Sequence, residues 1–296
     1  MSNQDSVIDR LATLVAEARS LPVDETKGRL LELLQGYFQA TVALGGSFPI
    51  GHGHATIFRG RVTTQKPQAL ADVSYPPPNT TQQGRCNRRG RPLFYGSFSV
   101  HPIAYELHIK EGELLYLSRW TTFPGRWLSV NYVGLSKQAF DRLRSTREPP
   151  YWARPEVIQE LTDRNLALNG KLGDLFVSRD PSDYNFTNAV TEIFTSGNVD
   201  ALIYPTVALN GSFDDVVIKP QYVDRWLNLH RVDQVIVTGI QSGKNPSFQV
   251  LDSATLNEGH NLCWHGHPDP QGFAKAPPMC MMLCNPGQWS PARDSS

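Results

Sequence analysis

Residues 84–95 read GRCNRRGRPLFY, a run with four arginines and two glycines in its first eight positions. Arginine keeps its charge and binds phosphate through paired hydrogen bonds, which lysine cannot do. Glycine lets backbone amides approach the same anion. Leu93-Phe94-Tyr95 is a short strand signal. The segment therefore predicts an anion-binding loop that leads into a strand, and a solvated basic turn is the alternative.

Two flanking segments favour the anion-binding interpretation. Upstream, Phe58-Arg59-Gly60-Arg61 places arginine at the end of a strand signal. Downstream, Glu106 lies within the apolar helix predicted for residues 100–109. A carboxylate is costly to bury unless it is paired or functional, so Glu106 is a candidate site residue. A Glu106 that simply faces solvent is the alternative.

The spacing of these residues carries a family resemblance. The run Gly84-Arg85-x-Asn87-x-x-Gly90-x-Pro92-x-x-Tyr95, followed by Glu106, resembles the RES domain family, named for its Arg, Glu and Ser. Residues 184–207 are similar to the family's other block, and residues 216–220 are similar to its closing strand. The resemblance covers roughly residues 54–224 and keeps the order of the blocks.

The sequence departs from the family pattern in three places. Cys86 follows Arg85 where a bulky aromatic residue is usual. Thr206 stands at the family serine and keeps a hydroxyl while adding a methyl group. Residues 120–180 form a longer connection than the family pattern predicts, which bears on how a substrate would enter.

The resemblance implies a toxin of a bacterial toxin–antitoxin pair that destroys NAD by hydrolysis or phosphorolysis. NAD would be the substrate, and no cofactor or metal is expected. An antitoxin protein would cover the active-site cleft. Two alternatives stay open: transfer of ADP-ribose to a protein target, and a RES-like module that binds a nucleotide or a partner without catalysis.

The roles of individual residues follow from the resemblance and from the chemistry of glycosidic cleavage. The nicotinamide–ribose bond breaks through an oxocarbenium-like state, so the site needs an anion clamp, an aromatic ring and a carboxylate near the ribose. Thr206 would orient the ribose, a phosphate or the nucleophile. The expected catalytic residues are Glu106, Tyr95, Arg85 and Thr206. The expected substrate-binding residues are Arg59, Arg61, Asn87, Arg88 and Tyr204.

Composition narrows the class of protein. The chain has 296 residues, with 28 Lys and Arg against 28 Asp and Glu. This balance argues against a general electrostatic hold on nucleic acid or on an anionic membrane. No apolar run approaches the ~18 residues of a membrane helix, and the first residues lack a secretory signal pattern. We expect a cytoplasmic protein that does not bind membranes.

The pattern of apolar residues predicts an α+β fold, with a mostly antiparallel sheet core and flanking helices. The resemblance adds that the core is of ADP-ribosyltransferase-like type. Residues 67–83 are expected to be an ordered loop or lid because of their prolines, and the last forty residues to be irregular. Helices are predicted at residues 5–19, 25–41, 136–144, 155–168 and 185–196.

The predicted domain organisation has three parts. Residues 1–45 form an N-terminal helical extension, residues 46–230 the RES-like catalytic domain, and residues 231–296 a C-terminal extension packed on the same domain. The two N-terminal helices either cap the core or mate with a second copy of the chain to form a homo-oligomer.

Two further groups of residues are weaker candidates for a site. His52 and His54 alternate with glycines and are candidates for the pocket, although solvent exposure is favoured. A second group supplies five potential zinc ligands: Cys263, His265, His267, Cys280 and Cys284. Their spacing matches no standard zinc motif, which favours ordinary buried cysteines.

Overall fold

The computed structural model of this chain describes residues 3–34, 46–48, 56–123, 128–134, 159–207, 214–240 and 246–268. These residues form one ten-stranded sheet and seven α-helices. Strands β5 and β6, defined below, pair in parallel, and the other pairings within the described residues are antiparallel. The predicted α+β class with a mostly antiparallel sheet is confirmed.

The strands and helices have the following bounds. The strands are β1 (Gly46–Phe48), β2 (Ile57–Arg61), β3 (Phe94–Ser97), β4 (Leu114–Thr122), β5 (Leu128–Tyr132), β6 (Ala201–Pro205), β7 (Asp214–Ile218), β8 (Leu227–Gly239), β9 (Ser247–Leu256) and β10 (Leu262–Trp264). The helices are α1 (Asn3–Ala18), α2 (Val23–Leu34), α3 (Leu70–Val73), α4 (Val100–Glu106), α5 (Gln159–Phe176), α6 (Tyr184–Phe194) and α7 (Pro220–Trp226). Across the sheet the strands lie in the order β1-β5-β6-β7-β3-β2-β4-β8-β9-β10.

The two faces of the sheet bury different apolar clusters because successive strand residues point to opposite sides. In β6, Leu202 packs in the cluster that contains α1, α2, α5 and α6, whereas Ile203 packs in the cluster that contains α3 and α7. In β2, Phe58 joins a third cluster beneath α4. Helices α4 and α6 therefore flank one face of the sheet, and the candidate site lies on that face.

The N-terminal helix pair caps the core of this chain. Leu11 and Leu14 of α1 and Leu30 of α2 are buried in the same cluster as Phe186 and Val190 of α6. The apolar stripes of both helices are therefore occupied, and self-association would have to use their other faces. Residues 35–41, the predicted end of the second helix, lie outside the described residues.

The other predicted helices are observed in part. The helix predicted at 185–196 is α6, and the helix predicted at 155–168 overlaps α5, which continues to Phe176. The helix predicted at 136–144 lies outside the described residues. Within residues 67–83 the chain makes the short helix α3 and a 3-10 turn at Pro78–Thr80, because the prolines interrupt longer elements.

The C-terminal part of the described chain extends the sheet. Strand β8 runs from Leu227 to Gly239, so the predicted boundary between residues 230 and 231 lies inside a strand. Strands β9 and β10 continue the sheet, and β10 lies within the last forty residues, which were expected to be irregular. None of the helices in the described ranges has the length and hydropathy needed to cross a membrane.

Candidate active site

Two adjoining cavities open on the face of the sheet that carries α4 and α6. The larger has a volume of about 580 Å³ and the smaller about 290 Å³. Three predicted residues, Tyr95, Glu106 and Tyr204, line both cavities. The larger cavity adds Arg85 and Asn87, so the tertiary structure brings five predicted site residues to one place.

Glu106 reaches the cavities because α4 ends there. Ser99 caps the helix by accepting a hydrogen bond from the backbone N–H of His101. His108, two residues after Glu106, has a φ of 51° and turns the chain back. Helix α4 also lies close to β2, since a Cβ at Gly60 would meet Ile103 Cγ2 at 2.3 Å. The carboxylate in the last turn of α4 is thereby placed at the mouth of the cavities.

Thr206 is the hydrogen-bond donor to Glu106. It follows β6 directly and is fully buried, and its Oγ1 donates to Glu106 Oε1 at 2.7 Å. The two residues lie 100 positions apart in the sequence. The resemblance predicts both Thr206 and Glu106 as catalytic residues, and their side chains are in direct hydrogen-bond contact.

Tyr95 and Asn87 hold the arginine-rich loop, residues 84–91, in shape. The Tyr95 hydroxyl accepts a hydrogen bond from the backbone N–H of Cys86 at 2.9 Å and donates to Asn87 Oδ1 at 2.8 Å. The Asn87 amide in turn donates to two backbone carbonyls. Gly84 is required at the turn, because a Cβ there would lie 2.6 Å from Asn87 Oδ1. These contacts give both side chains a structural role beside their place in the cavity wall.

Helix α6 anchors the same loop from the other side. Thr187 Oγ1 donates to the backbone carbonyl of Arg85 at 2.6 Å, and Asn188 Nδ2 donates to the carbonyl of Gly84 at 2.9 Å. Both side chains are buried, so these hydrogen bonds are shielded from water. The backbone of Arg85 is therefore fixed while its side chain extends into the larger cavity.

Arg85 is available to bind an anion. Its guanidinium lies over the Tyr184 ring, 5.4 Å from the ring centroid. Nη1 is buried without a hydrogen-bond partner, and Arg85 makes no ion pair with any residue the structure describes. A buried charged donor without a partner is costly, and a bound phosphate would satisfy it.

Arg59 lines the smaller cavity on the other side of Glu106. Its Nη1 donates to the backbone carbonyl of Tyr95 at 2.8 Å, and the guanidinium lies 5.4 Å from the Phe94 ring centroid. Its Nε is buried without a partner among the described residues. Burial, with the neighbouring charge of Arg61, lowers the pKa of Arg59 to about 10. Two arginines thus flank Glu106, one from each cavity.

The structure does not bring Arg61 and Arg88 to the cavities. Arg61 is exposed and donates to the backbone carbonyl of Asp72. Arg88 forms ion pairs with Asp24 of α2 and Glu192 of α6. Its guanidinium joins the N-terminal helices to the arginine-rich loop instead of lining the cavities.

Four residues that the sequence did not single out also line the larger cavity. They are Tyr105, His108, Arg179 and Tyr184. Tyr184 opens the second block of the resemblance, and this was a usable signal. Arg179 is exposed and belongs to no motif, so no signal in the sequence pointed to it. With Arg85 and the tyrosines it gives the cavity a cationic and aromatic wall.

The weaker candidate sites remain untested or unsupported. Within the described residues no three His, Cys, Asp or Glu side chains are grouped so that they could hold a metal ion. Cys263 is exposed with a free thiol, contrary to the expected burial. His265 and His267, named with it, are exposed. Cys280, Cys284, His52 and His54 lie outside the described residues.

No family model matches the sequence, and no curated protein matches it either. The likeness to the RES family therefore rests on the two sequence blocks themselves. Their side chains meet in the fold, since Glu106 of the first block accepts from Thr206 of the second. Arg85 of the first block lies over Tyr184 of the second.

Proposed function

We propose that this chain cleaves the nicotinamide–ribose bond of NAD. One observation carries the proposal: the Glu106 carboxylate, held by Thr206, lies where two cavities meet, with Arg85 in one and Arg59 in the other. A dinucleotide has an anionic pyrophosphate between two nucleosides, and this arrangement offers cations on both sides of a carboxylate.

Binding would use the cationic and aromatic wall of the larger cavity. Arg85 would take the pyrophosphate through paired hydrogen bonds, and Arg179 would add a second positive charge. Tyr184 lies beneath the Arg85 guanidinium and offers a flat face for an adenine or nicotinamide ring. A volume of about 580 Å³ lies within the usual range for small-molecule sites.

The chemical step does not need a strong general acid from the protein. The bond between the ribose C1′ and the ring nitrogen breaks, and its electron pair neutralises the pyridinium, so nicotinamide leaves as a neutral molecule. Positive charge develops on the ribose, as in glycoside hydrolysis. Glu106 would stabilise that charge and hold the ribose hydroxyls. Water or phosphate then forms the new bond to C1′ and releases a proton.

The fold is consistent with this proposal at the level of the sheet. Strands β2 and β3 are joined through the single register pair Phe58 and Ser97, and the smaller cavity lies beside this narrow contact. This short pairing beside the smaller cavity is the feature of the sheet that we offer in support of the ADP-ribosyltransferase-like type. Because consumption of NAD would inhibit growth, we propose that the chain acts as a cytoplasmic toxin and that an antitoxin covering the cavities restrains it.

To test this proposal, nicotinamide release from NAD is measured with the purified protein, in the presence and in the absence of phosphate. We expect release by the natural chain and a loss of about a hundredfold or more in Glu106→Gln. Glu111→Gln is the matched control, since Glu111 is exposed and lies outside both cavities. The adenosine-containing product separates hydrolysis from phosphorolysis.

Two results would contradict NAD destruction in favour of the alternatives. ADP-ribose found on a protein target, with release of nicotinamide only when that target is present, would indicate a transferase. NAD binding without nicotinamide release under any condition would indicate a module that binds a nucleotide without catalysis. Glu106→Gln distinguishes them, because a transferase loses modification while a binding module keeps its affinity.

A further inference from the structure

Asp215 is a buried carboxyl group on the cavity side of the sheet. It lies on β7, paired in register with Ser97 of β3 and Tyr204 of β6. Its neighbour Val216 packs in the cluster on the opposite face, whereas Val217 packs with the helices α1, α2, α5 and α6. Alternation along the strand therefore points Asp215 to the face that holds Glu106. Its side chain is 1% exposed.

Both carboxyl oxygens of Asp215 lack a hydrogen bond of normal geometry within the described residues. The polar side chains beside it are Glu106, Ser97 and Thr206. An ionised carboxylate in such a place would be both desolvated and next to the negative charge of Glu106. Burial, reinforced by that charge, raises the pKa of Asp215 well above its ordinary value. Both effects favour the protonated form of Asp215, which has one O–H to donate.

We propose that Asp215 is a positioning residue for Glu106: its buried acid group and the Thr206 hydroxyl together hold the Glu106 carboxylate toward the cavities. Thr206 donates to Oε1. A protonated Asp215, which lies beside Glu106, would supply a second donor to the same carboxylate. Held on two sides, the Glu106 side chain stays oriented toward the cavities in the absence of substrate. The effect on turnover rests on the proposed function, while the carboxyl pair itself does not.

The arrangement makes Glu106 sensitive to the loss of one proton. The titratable groups that face Asp215 are Glu106 from α4, Tyr204 from β6 and Cys86 from the arginine-rich loop. Burial raises the pKa of the Cys86 thiol to about 12, and burial likewise raises the pKa of Tyr204. Neither the Cys86 thiol nor the Tyr204 phenol therefore adds a negative charge beside Asp215 near neutral pH. When Asp215 ionises, two adjacent carboxylates repel, and Glu106 loses its second donor.

Substitutions separate positioning from simple packing. Asp215→Asn keeps the shape and a donor but cannot ionise. We expect its kcat within about twofold of the natural chain, with the alkaline loss of activity abolished. Asp215→Ala removes the donor and should lower kcat about tenfold or more with little change in KM. Asp214→Asn is the control, since Asp214 is the adjacent strand residue and lines neither cavity.

A carboxyl-carbon NMR titration of the full chain tests the pair independently of activity. We expect Asp215 to keep its proton at a pH where ordinary aspartates have lost theirs, and its midpoint to fall in Glu106→Gln. An ordinary midpoint, or one unmoved by Glu106→Gln, would overturn the proposal. An unchanged loss of activity at alkaline pH in Asp215→Asn would also overturn it. This measurement tests the proposal even if Asp215→Ala does not fold. If the Asp215 midpoint is shifted but no nicotinamide is released, NAD cleavage is excluded while the carboxyl pair stands.

Discussion

The Thr206 hydroxyl donates a 2.7 Å hydrogen bond to Glu106 Oε1, joining the end of a buried central strand to the last turn of a short surface helix. Thr206 is fully buried, whereas Glu106 is exposed at the cavity mouth. The buried end of the strand therefore determines where the more exposed carboxylate lies. The added methyl of threonine, relative to the family serine, does not prevent this contact.

Removal of the Thr206 hydroxyl should slow nicotinamide release. A hydrogen bond to a charged group contributes about 1.5–3 kcal/mol, so Thr206→Val should lower kcat by roughly ten- to a hundredfold. Thr206→Ser keeps the donor and should retain most of the activity. The measurement is kcat and KM for NAD in the three proteins. A valine variant with the kcat of the natural chain would show that the hydrogen bond has no role in turnover.

Arg85 should govern affinity for NAD. Arg85→Gln removes from the larger cavity a guanidinium that makes no ion pair with the described part of the chain, and we expect the Kd for NAD to rise about tenfold or more. Arg85→Lys should be intermediate, since an ammonium cannot make paired hydrogen bonds. Calorimetric titration in the Glu106→Gln background measures binding without turnover.

The control for this prediction is Arg89→Gln. Arg89 belongs to the same loop but is exposed, and it lies outside both cavities. Equal losses of affinity in Arg85→Gln and Arg89→Gln would mean that the loop attracts NAD by its overall charge.

Arg88 should act on stability and not on substrate affinity. Its guanidinium pairs with Asp24 and Glu192, and it is largely buried between them. Burial alone would raise the pKa of Glu192, but hydrogen bonds from Arg88 and Lys27 outweigh it and lower that pKa. Arg88→Met should reduce the free energy of unfolding by about 1–2 kcal/mol while KM for NAD stays the same.

Denaturant unfolding of Arg88→Met and Arg91→Met makes the comparison. Arg91 meets the same Glu192 at 3.4 Å but is 68% exposed in its side chain, so its replacement should cost much less. A rise in KM in Arg88→Met without a loss of stability would restore the original assignment of Arg88 to the substrate.

Stability should decline as the pH rises through the weakly acidic range. Burial raises the pKa of Asp200 to about 6 and that of Asp214 to about 6. A pKa above the unfolded value means that the folded state holds the proton more tightly. The stabilising effect is complete below about pH 4, the ordinary aspartate range, and is lost as the pH rises through about 6.

Asp200→Asn should flatten this pH dependence and raise stability at neutral pH. The asparagine oxygen can still accept the hydrogen bond that the backbone N–H of Ser129 donates to Asp200 Oδ2 at 2.7 Å. Asp9→Asn, at an exposed position of α1, is the control and should leave the profile unchanged. Free energies of unfolding measured between about pH 4 and 8 provide the test. A profile as steep as that of the natural chain would exclude Asp200 as a source.

The sequence predicted best those helices and strands that depend on a single continuous segment. The periodicity of residues 185–196 predicted α6, and the apolar run at 201–205 predicted β6. The spacing from Gly84 to Glu106 predicted a loop, a strand and a helix that lie together at the cavities. The C-terminal strands were predicted less well, since pairing at a sheet edge depends on a partner strand as well as on local pattern.

By itself the sequence determined the α+β class, the arginine-rich loop and the carboxylate of Glu106, because these depend on local periodicity and residue type. Only the tertiary structure decided which arginines face the cavities. Among the residues that the structure describes, Arg85 has no ion-pair partner there, whereas Arg88 is paired with acids 64 and 104 residues away. Only the fold, too, placed Asp215 beside Glu106, since burial and the approach of distant charges are properties of packing and leave no local pattern in the chain.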